Sequence, residues 1–463
     1  MKKPKPCLAR VLQMVGVIIS LGSVAIPAQA QDAAKVQELQ RIVDAQQRQI
    51  ETQQSQNEAQ QKQLDAQSQL LQDFQKQMES LVRGEDTDKV PVVAEKPKVP
   101  VVAEKPAAKP VVASAKSTSS SEKFVTSGEE RVNLSISGWV NRAVNVVDDG
   151  KDTDAYFVDN DNAESRVDFV GTVKVNDDLT LGSQIELTIA PDKAGDVSQL
   201  DKEPGDVFEQ RITEVTLDSK RFGKLSLGKG FTGSYGTASR DLSRTTMISY
   251  VTVADTAGGM LFRQKSDDAL TGLPIKVAFQ SFDGLNRRSR VRYDTPTYHG
   301  FKFSTSLLTE QRYDAALWWG GQGYGFKAIG AASFADPKLD DTDLQYAGSY
   351  SLLHEETGLN LTLSAGMLER DQQDDAGNLY GKIGWITKFI SFGDTAFAID
   401  YNQTWNQPTE NDEGYSAGLA AVQFFEKYGT EVYFLYRKYS LDRDVQPEVY
   451  DIDVVSVGAR VRF

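Results

Sequence analysis

Residues 451–463 read DIDVVSVGARVRF, ending the sequence on an aromatic side chain. Val455, Val457, Ala459, Val461 and Phe463 fall on one face at period two. Val454, Ser456, Gly458, Arg460 and Arg462 fall on the other. A strand with one apolar face, and with Ser, Gly and two arginines on the opposite face, suits a wall between lipid and water. The competing reading is an amphipathic strand of a soluble sandwich. The rest of the chain decides between them.

From Arg131 onward the same alternation repeats. Val167, Phe169, Gly171, Val173 and Val175 oppose Arg166, Asp168, Thr172 and Lys174, and a tight turn at 176–178 follows. Leu179, Leu181, Ile185, Leu187 and Ile189 then oppose Thr180, Gln184, Glu186 and Thr188. Sixteen strands are expected, beginning near residues 132, 164, 179, 208, 224, 287, 300, 312, 326, 343, 358, 378, 395, 413, 430 and 451. Short connections (176–178, 219–223, 295–299, 354–357, 391–393, 426–429) alternate with longer, more acidic ones (148–163, 190–207, 231–286, 336–342, 370–377, 406–412, 441–450). Short turns at one end and long loops at the other are the arrangement of a transmembrane barrel. The expected fold is therefore all-β, a 16-stranded antiparallel transmembrane β-barrel. Aromatics near strand ends, such as Trp318, Trp319, Phe389, Phe392, Trp405 and Tyr428, fit interfacial girdles.

Composition narrows the options. The chain has 463 residues and a formal charge of −14, which argues against general nucleic-acid binding. Two histidines (His299, His354) and one cysteine (Cys7) leave no disulfide framework and no Cys/His metal site, and no cofactor is implied. Residues 1–30 read as a secretory signal peptide: a basic start, an apolar run from Val11 to Ile26, and Ala28 and Ala30 before the cut. A retained membrane anchor is the alternative reading. Without Lys2, Lys3, Lys5 and Arg10 the charge is nearer −18 (−14 minus four). No other apolar run reaches the ~18 residues of a membrane helix, so spanning falls to a closed barrel.

Residues 31–83 read as a coiled coil. Val36, Val43, Ile50, Asn57, Leu64, Leu71 and Met78 recur every seven residues, with glutamines at the companion positions in the middle. A single solvated helix is the alternative. Residues 84–130 repeat KVPVVAEKP at 89–97 and 98–106 and read as a Pro-rich flexible linker. Residues 131–463 are the barrel.

SRVDFVGTVKVNDDLTLGSQIEL (165–187), RITEVTLDSKRFGKLSLGKGFTGSYG (211–236) and RVRYDTPTYHGFKFSTSL (290–307) resemble segments of the trimeric Gram-negative outer-membrane porin family, as does the terminal Phe. The coiled coil and spacer resemble the layout of the DcaP-like group, which implies trimerisation in the periplasm. The resemblance implies three barrels side by side, each narrowed by a long third loop folded into its lumen. It carries over Arg166 and Arg211 as wall arginines, and Arg287 or Arg288 as a third. Asp255 stands one position from the family's loop acid, and Asp241 is a second candidate. The resemblance also implies that Phe463 and Val461 carry the signal read by the barrel-insertion machinery. The partners implied are small hydrophilic solutes or ions, outer-membrane lipid, lipopolysaccharide and two further copies of the chain. Inward arginines favour anions and a dense cluster of loop acids reverses that. The other reading of Arg166 and Arg211 is structural pairing with Asp168 and Glu214.

Gly414-Tyr415-Ser416-Ala417-Gly418 matches a nucleophile elbow, but no histidine follows it and the segment reads as strand. His354 and His299 sit in expected turns. Asp374 and Asp375 read as solvated charge or weak divalent-cation sites. The expected function is a porin in the outer membrane of a Gram-negative bacterium, not an enzyme. The alternative is an envelope tether that links the outer membrane to peptidoglycan through the coiled coil.

Overall fold

Alternation such as Leu225 and Leu227 exposed with Ser226 buried presents one face to each solvent. Such a sheet survives in a membrane only if it has no free edge. The computed structural model describes residues 124–127, 132–338, 342–444 and 447–463. The expected signal peptide, the coiled coil and all but the end of the spacer lie outside the described residues.

The strands are β1 (Phe124–Ser127), β2 (Val132–Asp148), β3 (Thr153–Asp159), β4 (Arg166–Lys174), β5 (Leu179–Pro191), β6 (Asp206–Ser219) and β7 (Gly223–Phe231). A long loop holds a small hairpin of β8 (Leu261–Arg263) and β9 (Leu270–Pro274). Then follow β10 (Arg287–Asp294), β11 (Phe301–Leu308), β12 (Tyr313–Gly323), β13 (Phe326–Asp336), β14 (Thr342–His354) and β15 (Leu359–Arg370). The last are β16 (Ala376–Ile390), β17 (Gly393–Trp405), β18 (Glu413–Phe425), β19 (Thr430–Asp442) and β20 (Ile452–Arg462).

Sixteen of these form the wall: β2, β4 to β7 and β10 to β20. Neighbours pair antiparallel, β7 pairs β10 across the long loop, and β20 pairs β2 from Trp139↔Arg462 to Asp148↔Asp453. That last pairing closes a 16-stranded antiparallel barrel. Each wall strand begins within two residues of its expected start, because the apolar alternation begins where each strand meets lipid.

The expected loop at 148–163 is overturned. β2 turns tightly at 149–152 and β3 pairs straight back onto its upper half, from Asp148↔Thr153 to Arg142↔Asp159. β4 then pairs with the lower half, from Trp139↔Arg166 to Val132↔Val173. β3 and β4 are thus two halves of one wall strand, interrupted at 160–165. Asp154, Asp159, Asn160 and Asp161 make the stretch look like solvated loop, yet Tyr156, Val158 and Asp159 are buried. Ser165 satisfies Asp159 with N–H and Oγ–H bonds of 3.0 and 2.5 Å. β1, inside the expected spacer, pairs with residues 133–136 of β2 just beyond the reach of β20. Within the long loop, residues 273–274 end β9 and a helical turn follows at Ile275–Ala278.

At the turn end of the barrel, Phe222, Tyr298, Phe301, Phe389, Phe392, Tyr428 and Phe463 stand exposed on the outer face. Phe463 exchanges both backbone hydrogen bonds with Gly138 at 3.0 Å. Its ring lies where a Cβ on Gly138 would fall, 2.8 Å from Cζ. Val461 is likewise exposed, paired between Val140 and Thr430.

Candidate functional site

Inward-facing strand positions are polar, and the 232–286 loop uses them. A backbone entering the lumen must find partners for its N–H and C=O groups. Gly233 N–H donates to Ser306 Oγ at 2.6 Å, and Ser304 Oγ–H donates to Gly233 O at 2.8 Å. Farther along, the N–H groups of Arg240 and Leu242 donate to Ser349 and Ser351. Lys382, fully buried, pairs with Asp241 at 2.5 Å and donates to Ser249 O at 2.8 Å and Thr245 Oγ1 at 3.1 Å. Asp400 accepts from Ser249 at 2.5 Å and from Arg437 at 2.7 Å. The loop then crosses the seam between the last and first strands. There Tyr439 donates to Val253 O at 2.6 Å and Asn145 to Thr256 O at 2.7 Å. Its apolar side chains, among them Met247, Ile248, Val253 and Phe279, are buried with Tyr380, Tyr433 and Leu435 of the wall.

The loop emerges at the mouth as the β8–β9 hairpin. Arg263 there pairs with Asp149 at 2.7 Å and Asp152 at 3.3 Å, and Tyr450 N–H donates to Arg263 O at 2.9 Å. Burial pushes the Asp149 carboxyl up, but the bonds from Arg263, the Asp152 backbone and Gln199 outweigh it and hold it below its ordinary value. The bond to Asp149 in turn holds the Arg263 guanidinium above its ordinary value.

The loop covers the opposite wall, and a cavity remains along β5 to β7, β10 and β11. On this side the expected arginines meet. The register of β5 and β6 shifts between Glu186 and Leu187, leaving Arg211 as the extra residue of a bulge. A bulge re-aims a side chain, which explains why its inward phase is not clean in the sequence. Arg211 pairs with both Glu164 and Glu186, the latter at 2.5 Å. Arg166 lies 3.4 Å from Glu186 and over the Trp139 ring at 4.6 Å, while Lys193 reaches Glu164 at 2.8 Å. The partners differ from the pairing weighed above: Asp168 accepts from Gln184 at 3.0 Å, and Glu214 holds Arg290.

Across the gap the loop presents Tyr235, Tyr250 and Asp255, all half-buried. Asp255 accepts a hydrogen bond from Tyr250 and lies in the combined field of Glu164, Lys193 and Arg287. Among the described residues Arg287 makes no salt bridge; its guanidinium lies 5.6 and 5.9 Å from the stacked rings of Phe231 and Tyr235. Arg288 beside it is exposed. Asp241 is placed differently: it is the buried partner of Lys382 and ties the loop to the wall.

Toward the turn end lies a cavity of about 710 Å³, lined in part by Glu214, Asp218, Lys220, Lys224, Arg290, Arg292, Asp294 and Lys302. Arg292 and Lys302 converge on Asp294 at 2.8 and 3.1 Å. The sequence does not single out Glu164, Lys193, Lys220, Lys224 or this trio. Alternation marks Glu186 as inward, but nothing local assigns its partner.

Several solved outer-membrane proteins have a similar chain path. The anion-selective porin from Comamonas acidovorans gives a TM-score of 0.49 at 14% identity, covering 72% of this chain and 100% of its own. In-vitro folded OmpT of Vibrio cholerae gives 0.48 at 14% identity, covering 74% and 100%. The outer-membrane channel DcaP of Acinetobacter baumannii gives 0.47 at 11% identity, covering 73% and 99%. At these scores the likeness carries no weight for function. Among curated protein sequences none matches. The sequence model of the Gram-negative porins matches residues 106–461, which takes in every wall strand, and the chain belongs to that family.

Proposed function

We propose that this porin is a diffusion channel for small hydrophilic solutes and ions in the outer membrane, restricted at mid-height by the inserted 232–286 loop. The observation that carries this reading is the cluster of charges on the wall beside the loop, with a charged vestibule toward the turn end. Glu164, Arg166, Glu186 and Arg211 form the cluster near Asp255 and Arg287, and the vestibule holds about 710 Å³. Charges between low-dielectric walls focus their field and orient what passes. Arg211 and Arg166 are neutralised by Glu164 and Glu186, so the constriction orients dipoles more than it sorts ions by sign.

The channel works as a trimer in this reading. Arg142 follows the outward phase of Val140, Val144 and Val146, yet it is charged and lies 4.0 Å from Asp192. Lys229 follows the outward phase of Leu225 and Leu227 and lies 3.7 Å from Glu209. Facing lipid near mid-depth, such a charge costs ~2–4 kcal/mol. A neighbouring copy over β2 and β5 to β7 removes that cost.

Purified protein in a planar bilayer is expected to give stepwise conductance, with steps grouped in threes. A correctly folded protein that stays electrically silent refutes the channel. The reversal potential under a salt gradient is expected to move little in Arg166→Ala, because its charge is one of a nearly balanced set.

A further inference from the structure

The two ends of the passage carry opposite charge. At the mouth, segments 149–152, 194–205, 263–269, 309–312, 371–375, 406–412, 443–444 and 447–451 hold 16 Asp and Glu against six Lys and Arg, a net −10. The vestibule at the turn end is lined by Lys220, Lys224, Arg290, Arg292 and Lys302 against Glu214, Asp218 and Asp294, five cations to three carboxylates, a net +2. Between them lies the nearly neutral constriction: Arg166, Lys193, Arg211 and Arg287 against Glu164, Glu186 and Asp255. Among the described residues Lys220 and Lys224 make no salt bridge, so their charge is free to act on the vestibule.

From this polarity we infer that the pore rectifies: it conducts ions more readily under one sign of voltage than under the other. The inference rests on the channel reading above. The acidic mouth concentrates cations and the basic vestibule concentrates anions. A voltage that makes the loop side positive drives both populations toward the constriction. Salt accumulates there and conductance rises. The opposite voltage draws both away and depletes it. No net transport arises without a driving force; only the response to that force is lopsided. At 0.1 M salt a charge is felt over ~10 Å, so each end governs its own zone without cancelling the other.

The full mature protein is inserted as single trimers in a planar bilayer, and current is recorded at equal positive and negative voltages. At 0.1 M KCl the ratio of the two currents is expected to be roughly 1.5 to 2, falling toward one at 1 M KCl, where screening shortens to ~3 Å. Lys220→Glu with Lys224→Glu turns the vestibule from +2 to −2, the same sign as the mouth, and its ratio is expected to be about one at both salts. A symmetric wild-type curve at 0.1 M KCl overturns the inference while leaving the channel standing. So does a double variant as lopsided as the wild type, or a ratio that ignores salt. A silent bilayer removes channel and rectification together.

Discussion

Lys382→Met tests whether the inserted loop is held by the wall or merely rests on it. Lys382 is fully buried and makes one ion pair, with Asp241, and two hydrogen bonds, to Ser249 O and Thr245 Oγ1. Methionine fills much of the volume but leaves the Asp241 carboxylate buried without its cation. Breaking a buried pair on one side costs ~3–5 kcal/mol. The wall strands keep their own ladders, so the loss falls on the loop. At ~1.4 kcal/mol per tenfold, the local opening equilibrium of the loop rises by ~10²- to 10⁴-fold. The readout is hydrogen exchange at Ile248 and Ser249, whose N–H groups donate to Thr245 O within the anchored turn. Their exchange is expected to speed up by that factor while β16 and β17 stay protected, and single-channel current is expected to become noisier. Lys382→Met with Asp241→Leu removes both charges and is expected to restore most of the protection. If exchange at 248–249 in Lys382→Met equals the wild type, the anchor argument is wrong.

Two further outcomes follow from the ion pairs. Arg211→Met strips Glu164 and Glu186 of their shared cation, and Lys193 and Arg166 compensate only in part. Its urea midpoint in lipid vesicles is expected to correspond to a loss of ~3–5 kcal/mol, most of it recovered when Glu164→Gln and Glu186→Gln are added. At the mouth, Asp149 has a folded value below its unfolded one, so its contribution is present above about pH 4 and fades as pH falls through the lower folded value. Proteolytic cutting of the 261–274 hairpin is expected to increase in that acid range, and Arg263→Gln is expected to be cut readily at neutral pH as well.

Strand phase was legible along the regular ladders, because each wall residue there answers to lipid or water and alternation records which. That reasoning reaches Arg166, Val461 and Phe463. It falters where the ladder is irregular. The bulge at Arg211 breaks period two, and the interruption at 160–165 hides β3 behind a run of acids, of which Asp159 is bonded by Ser165 inside the wall. It fails for partners distant along the chain. Lys382 and Asp241 stand 141 positions apart (382 minus 241), and no local pattern joins them. The same holds for Lys193, a loop lysine that alternation cannot place.

The 232–286 loop touches both ends of the sheet. It takes hydrogen bonds from Asn145 on the first wall strand and Tyr439 on the next to last, and its hairpin meets Val449 and Tyr450 just ahead of the final strand. Those footholds come together only once the two ends of the sheet have joined. In a sheet not yet closed the anchors on β11, β14, β16 and β17 are present but these two footholds are apart, and the seated loop clasps the join from within. The segment seated inside the cylinder thus also spans its seam.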